Sequence, residues 1–371
     1  MNIRTILIIK GDIIMETKNI RIEKATTLKP KPDPSTLEFG TLFTDHMFIL
    51  DYSEELGWHD GRIVPYGPLE LDPAATSFHY GQTVFEGLKA YLTENDEVLL
   101  FRPDQNVARL NRSSERIRIP KLDVDYATQA IKELVSLEKD WVPKGEGTSL
   151  YIRPFIIATE AYLGVSPSKN YKFMIILSPV GAYYKEGINP VKIAVEDKYV
   201  RAVTGGTGEA KTGGNYAASL AASEIVSERG FAQVLWLDGV EKKYIEEVGS
   251  MNIFFKINGE IITPNLHGSI LPGITRDSVI QMLEHWGTPV TERRISIQEV
   301  YDAAKNGSLE EAFGTGTAAV ISPIGQLTWL DEDIIINNGE TGPLAKKLYE
   351  SLSDIQYGRT EDIFNWTVKV D

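Results

Sequence analysis

The pattern of hydrophobic and polar positions divides the chain into two halves. In the first half, the short apolar run at 97–101 predicts a strand, and the apolar spacing over 127–138 predicts an amphipathic helix. Turn-forming residues over 181–190 then interrupt the pattern, and a new strand is predicted at 191–195. We therefore expect two domains, with the boundary in the turn-rich stretch.

The second half combines predicted hairpins with capped helices. Asn215 is a favourable N-cap for a helix that Gly230 would end, and Asn258-Gly259 predicts the turn of a β-hairpin. Ser296 and Glu299 have the spacing of a capping box, which predicts another helix start. We interpret the strands as antiparallel hairpins rather than as a series of β-α-β units. The predicted fold class is therefore α+β or α/β.

The expected organisation has four parts. Residues 1–30 form an N-terminal extension that need not be ordered, and residues 31–180 form a small α/β domain. Residues 181–190 are the linker, and residues 191–371 form a large C-terminal domain. The length of 371 residues suits two ordinary cores, because single cores stop growing at roughly 250 to 300 residues.

Composition and charge narrow the class of protein further. The net charge of -14 disfavours nucleic acid and anionic membranes as partners, because those surfaces attract clustered basic residues. The chain has no cysteine, which excludes disulfides, thiolate nucleophiles and cysteine metal sites. The apolar run at 6–9 is too short for a membrane span or a signal peptide. We therefore expect a cytoplasmic protein that acts on small molecules.

A glycine-rich stretch around Lys211 is the strongest sign of a functional site. Five glycines lie within residues 205–216, and glycine lets the backbone approach a ligand closely. The pattern nearly fits the phosphate-binding loop of nucleotide hydrolases, but Ala210 stands where the glycine before the lysine belongs. A nucleotide hydrolase and an incidental lysine in a solvated loop stay open as alternatives. The favoured interpretation is a lysine presented to a flat cofactor.

Three further patterns point to the same kind of cofactor. The Glu246-Glu247 pair ends a predicted strand, so alternation sends one carboxylate inward, where it needs a cationic partner. The turns at 271–277 and 313–319 expose backbone amides that can bind an anion, the first at a helix N-terminus. Tyr151 and Arg153 share one strand face and suit recognition of a carboxylate. The lysine, the inward carboxylate, the two anion-binding turns and Tyr216 shortly after the lysine together match the needs of pyridoxal 5'-phosphate.

Eight short motifs resemble, in order and spacing, those of the branched-chain amino acid aminotransferases. The resemblance covers residues 30–371 and implies fold type IV of the pyridoxal-phosphate enzymes, as in D-amino acid aminotransferase. That fold has two domains with the cofactor at the domain interface, and it implies a homodimer. The motifs are Phe85–Ala90, Leu100–Pro103, Tyr151–Pro154, Leu163–Val165, Lys211–Tyr216, Glu247–Gly249, Leu271–Thr275 and Gly314–Ala318.

The resemblance implies a role for each cofactor-binding residue. Lys211 would form the Schiff base with the cofactor and carry the proton between the substrate α-carbon and the cofactor. Glu247 would pair with the ring nitrogen, and Tyr216 would hydrogen-bond the phenolic oxygen. The phosphate would be held by Arg109, the backbone amides of Ile274 and Thr275, and Thr317.

The resemblance also implies the substrate pocket. The α-carboxylate would lie near Ser250 and the amides of Ala318 and Ala319, and the distal carboxylate of glutamate near Arg153. The branched side chain would contact Val165 of the partner subunit. The other residues expected around the substrate are Tyr80, Phe85, Tyr151 and Tyr183.

The implied reaction is reversible transfer of the amino group of leucine, isoleucine or valine to 2-oxoglutarate, by a ping-pong mechanism. No metal is expected. The alternatives are a D-amino acid aminotransferase, an aminodeoxychorismate lyase, an inactive binding module on the same fold and, more remotely, a nucleotide hydrolase. Vertebrate members of the family carry a redox Cys-x-x-Cys where this chain has Ala319 and Ser322, so thiol regulation is excluded.

Overall fold

A computed structural model describes residues 19–182 and 188–370, so the predicted substrate residue Tyr183 lies outside the described residues. Within the described ranges, the strands form two sheets. The first contains β1 (Arg21–Ile22), β2 (His46–Ser53), β3 (Gly57–Pro65), β4 (Thr83–Phe85), β5 (Leu88–Leu92), β6 (Val98–Phe101), β7 (Ser149–Ala158), β8 (Asn170–Val180) and β18 (Thr367–Val370). The second contains β9 (Val191–Glu196), β10 (Gln233–Leu237), β11 (Ile245–Val248), β12 (Met251–Ile257), β13 (Glu260–Thr263), β14 (Val290–Glu292), β15 (Leu309–Gly316), β16 (Val320–Trp329) and β17 (Glu332–Ile335).

Helices pack against these sheets. They are α1 (Thr76–Tyr80), α2 (Pro103–Arg116), α3 (Val124–Leu137), α4 (Gly213–Glu228), α5 (Ile274–His285), α6 (Ile297–Lys305) and α7 (Pro343–Gln356). Short 3-10 turns lie at Pro34–Thr36, Lys139–Trp141 and Asn337–Gly339. Among the residues described, no helix has the length and apolar character needed to cross a membrane.

The first sheet has the order β1-β3-β2-β8-β7-β5-β6-β18, with β4 paired to β7. Helix α3 packs in the core of this sheet. It confirms the helix predicted over 127–138, although α3 begins three residues earlier. The earlier start arises because Asp123 caps the helix, its side chain accepting the Tyr126 N–H at 2.8 Å. Ile131 and Leu134 of α3 are fully buried in this core, and each such side chain contributes about 1.5 to 3 kcal/mol.

The second sheet has the order β11-β10-β9-β16-β15-β12-β13-β14, with β17 paired to β16. The hairpin predicted at Asn258-Gly259 is confirmed as β12–β13, and both turn residues have the positive φ that this tight turn requires. The capping box is also confirmed, since the Ser296 hydroxyl accepts the Glu299 N–H at 3.0 Å at the start of α6.

The expectation of antiparallel hairpins without a β-α-β unit is wrong. β9 and β10 run parallel, and α4 connects them across the sheet. Parallel neighbours need such a crossover, and residues 197–232 have the length for one. Ala222 and Val226 of α4 pack on Trp236 of β10, so the apolar face of the helix holds the crossover against the sheet.

The first and last described strands, β1 and β18, belong to the same sheet. β18 pairs antiparallel with β6, so the last described strand belongs to the first sheet rather than to the second. At the other terminus, β1 pairs with β3, and the Ala25 N–H donates to His46 Nε2 at 2.8 Å. The proposed division of the chain at 181–190 stays a prediction, because residues 183–187 lie outside the described part.

Candidate active site

The backbone of Lys211 is held by residues of the first half of the chain. The Phe85 N–H donates to the Lys211 carbonyl at 3.0 Å, and the Lys211 N–H donates to the Ser113 hydroxyl at 2.8 Å. The Thr212 hydroxyl donates to the Thr83 carbonyl at 2.7 Å. The lysine thus lies where β4 and α2 meet the start of α4, and its side-chain origin is fixed from both halves.

The glycines before Lys211 serve mainly the packing of the protein itself. A Cβ on Gly208 would lie 2.2 Å from the Ser269 carbonyl oxygen, so only glycine fits there. The backbone at Gly208 is therefore approached closely, as expected. The group that approaches it belongs to another segment of the chain and not to a ligand. Gly205 has a φ of +84°, a conformation that glycine adopts without strain.

Asn215 closes this loop and does not cap the helix as predicted. Its amide nitrogen donates to the carbonyls of Thr207 at 2.7 Å and Ala210 at 2.8 Å. Its amide oxygen accepts the Thr207 hydroxyl at 2.7 Å. The N-cap of α4 is Thr212, so Asn215 lies inside the first turn, where its side chain reaches back to the loop. The prediction was wrong because the helix begins earlier than the capping signal.

The side chain of Lys211 lies among aromatic rings. Its Nζ donates to Tyr216 Oη at 2.6 Å and lies 4.8 Å from the ring centroid of Phe85. Burial, with a smaller contribution from the Arg109 guanidinium, lowers the pKa of Lys211 to about 8. Burial and the Glu247 carboxylate raise the pKa of Tyr216 to about 12. The amine is therefore readily deprotonated, whereas the phenol keeps its proton and can donate it to a hydrogen bond.

Both carboxylates of the predicted pair are buried, although alternation predicted only one. Glu246 is 2% exposed and Glu247 is 3% exposed, because the segment 267–271 covers this end of β11. The Leu271 N–H donates to Glu247 at 2.7 Å, and the Ser269 hydroxyl donates to Glu246. Burial raises the pKa of each carboxyl group. Neither carboxylate is therefore a solvated surface group.

Sequence reasoning missed the cation that faces these carboxylates. Arg201 lies on the connection between β9 and α4, and its Nε is 3.1 Å from a carboxylate oxygen of Glu247. The only signal available was the rule that a buried carboxylate needs a cationic partner, which does not say which arginine supplies it.

Three of the four predicted phosphate-binding residues, namely Arg109, Ile274 and Thr275, meet at the start of α5. Ile274 and Thr275 are its first two residues, so their N–H groups have no intrahelical acceptor. Arg109 reaches this turn, where its Nη1 donates to the Pro272 carbonyl at 3.1 Å. Gly273 is required here, because a Cβ would lie 2.0 Å from the side-chain oxygen of Asn252.

Arg109 also has a partner that the sequence did not indicate. Its Nε and Nη2 donate to the two carboxylate oxygens of Glu86 at 2.7 and 2.8 Å, a bidentate pair in which both side chains are buried. Thr317, the other expected phosphate ligand, donates to the Gly87 carbonyl at 3.2 Å. The phosphate contacts of Arg109 and Thr317 stay predictions.

One cavity of about 250 Å³ collects most of the predicted substrate residues around Lys211. Arg153 lies in its wall, with Nη2 donating to Tyr151 Oη at 3.1 Å and the guanidinium 4.8 Å from the Phe85 ring centroid. A second cavity of about 200 Å³ shares Tyr216 and Ser250 with the first and contains Glu247 and Arg201. The predicted residues that line the first cavity are Phe85, Tyr151, Arg153, Lys211, Tyr216, Ser250, Thr317, Ala318 and Ala319.

Two predicted residues lie elsewhere in the protomer. Tyr80 and Val165 line a separate cavity of about 350 Å³, and the Tyr80 hydroxyl donates to the Leu163 carbonyl. Val165 is 84% exposed, as a residue that reaches a partner subunit would be. Their contacts with substrate stay predictions.

Lys89 is a further residue that sequence reasoning missed. Its side chain is buried, and its Nζ donates to the Ala318 carbonyl at 2.8 Å. Burial lowers the pKa of Lys89 to about 8. Lys89 thereby connects β5 of the first sheet to the loop expected to receive the substrate carboxylate.

The residues present fit pyridoxal phosphate. Glu246 and Glu247 share one arginine, Arg201, and an oxygen of Glu246 has no hydrogen-bond partner in the described chain. A protonated ring nitrogen beside Glu247 would give these two buried carboxylates a further cationic partner. Lys211 supplies a buried amine in the adjoining cavity, and the start of α5 supplies free amides for a phosphate.

Comparison with known proteins decides the family. A family model described as amino-transferase class IV matches residues 83–327. The chain belongs to the class IV aminotransferases. It is 65% identical to branched-chain-amino-acid aminotransferase 2 of Bacillus subtilis, over 96% of this chain and 98% of that protein. It is 60% identical to branched-chain-amino-acid transaminase 1 of the same organism, over 95% and 99%.

Solved structures agree with these relatives. The branched-chain aminotransferase of Escherichia coli has a TM-score of 0.74 at 26% identity, over 88% of this chain and 99% of that one. The Thermobaculum terrenum enzyme in its PLP-form has a TM-score of 0.72 at 26% identity, over 88% and 98%. The predicted fold type IV, branched-chain aminotransferase class and pyridoxal-phosphate cofactor are thereby confirmed. The alternative of a nucleotide hydrolase is not favoured.

The lowered pKa of Lys211 predicts how the apoprotein reacts with its cofactor. Only the neutral amine attacks an aldehyde, so the rate of combination with pyridoxal phosphate should rise with pH through a value of about 8 and then level off. Stopped-flow absorbance over a pH series measures this rate. Lys211→Gln should abolish the reaction, whereas Lys89→Gln should keep the inflection although Lys89 has a similar pKa. A rate that rises only near the ordinary pKa of lysine would contradict the prediction.

Proposed function

We propose that the protein catalyses the reversible transfer of the amino group of L-leucine, L-isoleucine or L-valine to 2-oxoglutarate. The products are the branched 2-oxo acid and L-glutamate, formed in a ping-pong cycle. The observation that supports this most is the cavity in which Lys211, an arginine and an apolar wall lie together. The names of the relatives at 56 to 65% identity point to the same substrates.

Bound pyridoxal phosphate supplies an electron sink for the electrons released when the substrate loses its α-proton. Lys211 would hold the cofactor until the amino group of the substrate displaces its Nζ, and the freed Nζ would take that proton and return it. The amine suits this task because burial lowers its pKa to about 8. Tyr216 would donate a hydrogen bond to the cofactor's phenolic oxygen, and Glu247 would pair with the ring nitrogen. The residues that would hold the phosphate are Arg109, Ile274, Thr275 and Thr317.

The substrate pocket must accept both leucine and glutamate. Phe85 and Tyr151 give it an apolar wall for a branched side chain. Arg153 lies against both rings, and its buried Nε has no hydrogen-bond partner among the described residues, so the guanidinium can still receive a carboxylate. Glutamate places its distal carboxylate on this guanidinium, so one pocket serves both substrates. Ser250 and the amides of Ala318 and Ala319 receive the α-carboxylate.

The enzyme is a cytoplasmic homodimer. Exposed apolar side chains that lie together mark interaction surfaces. Phe78 on α1, Leu163 and Val165 are all more than half exposed, and the bond from Tyr80 to Leu163 joins the two segments. We place this surface at the dimer interface, with Val165 completing the pocket of the partner. Tyr80 belongs to the same rim of the pocket.

Purified protein with added pyridoxal phosphate should make glutamate from L-leucine and 2-oxoglutarate. An enzyme-coupled glutamate assay measures the product. D-Leucine in place of L-leucine should give no product, which separates this activity from that of a D-amino acid aminotransferase. Lys211→Ala should reduce turnover to background while the protein keeps its fold by circular dichroism. Absence of glutamate from the wild-type protein would refute the proposed function.

Arg153 should affect the two substrates differently. Arg153→Met should raise the KM for 2-oxoglutarate by at least about tenfold, because a charged hydrogen bond contributes about 1.5 to 3 kcal/mol. The KM for leucine should change much less, since leucine places no charge there. Arg153→Lys, which keeps the charge but loses the planar fork, should lie between. Steady-state kinetics with each substrate varied in turn measure both constants, and equal changes in both would contradict this role.

Val165→Asp should weaken the dimer and lower kcat/KM for leucine, because it puts a charge into an apolar contact. Val240→Asp is the matched control, since Val240 is equally exposed at 84% but lies in the turn after β10. Sedimentation velocity measures the dimer fraction of each variant. Loss of dimer in both variants, or in neither, would contradict the proposed interface.

A further inference from the structure

Arg201 connects three parts of the active site. Its Nε lies 3.1 Å from Glu247, as an ion pair rather than an aligned hydrogen bond. Its Nη2 donates to the carbonyl of Gly208 at 3.2 Å, within the loop that precedes Lys211, and to the carbonyl of Ser269. The side chain is only 8% exposed. Its position is thus determined by backbone on two sides, and its charge faces the carboxylate.

The surroundings of Glu247 make this cation important. Burial favours the neutral form of the carboxyl group, and the neighbouring Glu246 carboxylate acts in the same direction. Arg201 and the Leu271 N–H oppose them, with Lys211 contributing less. Arg201 is therefore the main charge that keeps Glu247 ionised.

A carboxylate and a ring nitrogen that meet in a buried site share one proton. The proton resides on whichever group is more basic. A cation in contact with the carboxylate lowers its basicity more than that of a base farther away, because the Coulomb energy falls with distance. The cation beside the carboxylate thus decides which of the two groups is protonated.

We propose that Arg201 is a positioning residue that keeps Glu247 ionised, so that the proton shared with the cofactor resides on the ring nitrogen. This inference rests on the proposed function, since it takes Glu247 as the partner of that nitrogen. Without Arg201, the proton moves to Glu247 and the ring becomes neutral. A neutral ring withdraws electrons poorly, so removal of the α-proton slows while substrate binding is largely kept.

The test measures the protonation of the ring nitrogen directly. The holoenzyme is prepared with pyridoxal phosphate labelled with nitrogen-15, and the nitrogen chemical shift is recorded by NMR at neutral pH. Wild-type enzyme and Arg201→Lys should show the shift of a protonated nitrogen, because both carry the positive charge. Arg201→Gln should show the shift of an unprotonated nitrogen. In that variant kcat should fall by about one to three orders of magnitude, with a smaller change in the KM for leucine.

Arg116→Gln is the matched control for the loop. Arg116 donates to the carbonyls of Gly206 at 3.0 Å and Gly205 at 2.8 Å, so it anchors the same loop from α2. Both of these bonds go to the loop backbone and neither goes to Glu247. The control should keep the shift of a protonated nitrogen even if its stability falls. An equal loss of protonation in Arg116→Gln would overturn the proposal in favour of a general effect of loop anchoring.

The outcomes separate this inference from the proposed function. If the wild type transaminates leucine and Arg201→Gln keeps a protonated nitrogen, the inference on Arg201 is overturned and the proposed function stands. If the wild type forms no complex with pyridoxal phosphate, the proposed function fails, and the inference fails with it. If Arg201→Gln does not fold, the nitrogen-15 chemical shift is measured on Arg201→His over a pH series. Its ring-nitrogen protonation should be lost at lower pH than in the wild type, as the imidazole loses its charge, and an unchanged pH dependence would overturn the inference.

Discussion

The arrangement of the active site depends on the hydrogen bonds that join β4 and α2 to the segment of Lys211. Three bonds, at 3.0, 2.8 and 2.7 Å, join Phe85, Ser113 and Thr83 to this short segment. They fix where the lysine leaves the backbone, and they join the first sheet to the start of α4. Phe85 therefore has two functions, since its N–H holds the lysine backbone and its ring packs against the lysine amine. The same strand thus holds the backbone of Lys211 and lines the cavity beside its amine.

Buried charges around this segment form two separate groups. Glu86 and Arg109 form a bidentate pair near the helix start expected to hold the phosphate. At the other side, two buried carboxylates face the guanidinium of Arg201. A buried pair of opposite charges is balanced by itself, whereas an excess negative charge favours a cationic ligand. A protonated ring nitrogen beside Glu247, as proposed above, would give the two carboxylates a further cationic partner.

Local signals sufficed for the features whose causes lie within a few residues. The hairpin at Asn258-Gly259 follows from the backbone angles that tight turns require, and α6 follows from the capping box at Ser296. The failed N-cap at Asn215 marks the limit of such signals. The Asn215 side chain could accept a hydrogen bond from the helix amides or donate to the loop carbonyls. It donates to the loop carbonyls because the loop folds back over it.

By itself, the sequence determined the family, the fold type and the cofactor, and it predicted the lysine, because these depend on motifs that are contiguous in the chain. The tertiary structure alone decided that Arg201 faces Glu247, that Glu86 binds Arg109, and that Glu246 is buried beside its neighbour. It also decided that β9 and β10 run parallel. The physical reason is that these contacts join segments far apart in the chain. A motif specifies which charge must be compensated, but only the packed sheets and loops determine which distant side chain reaches it.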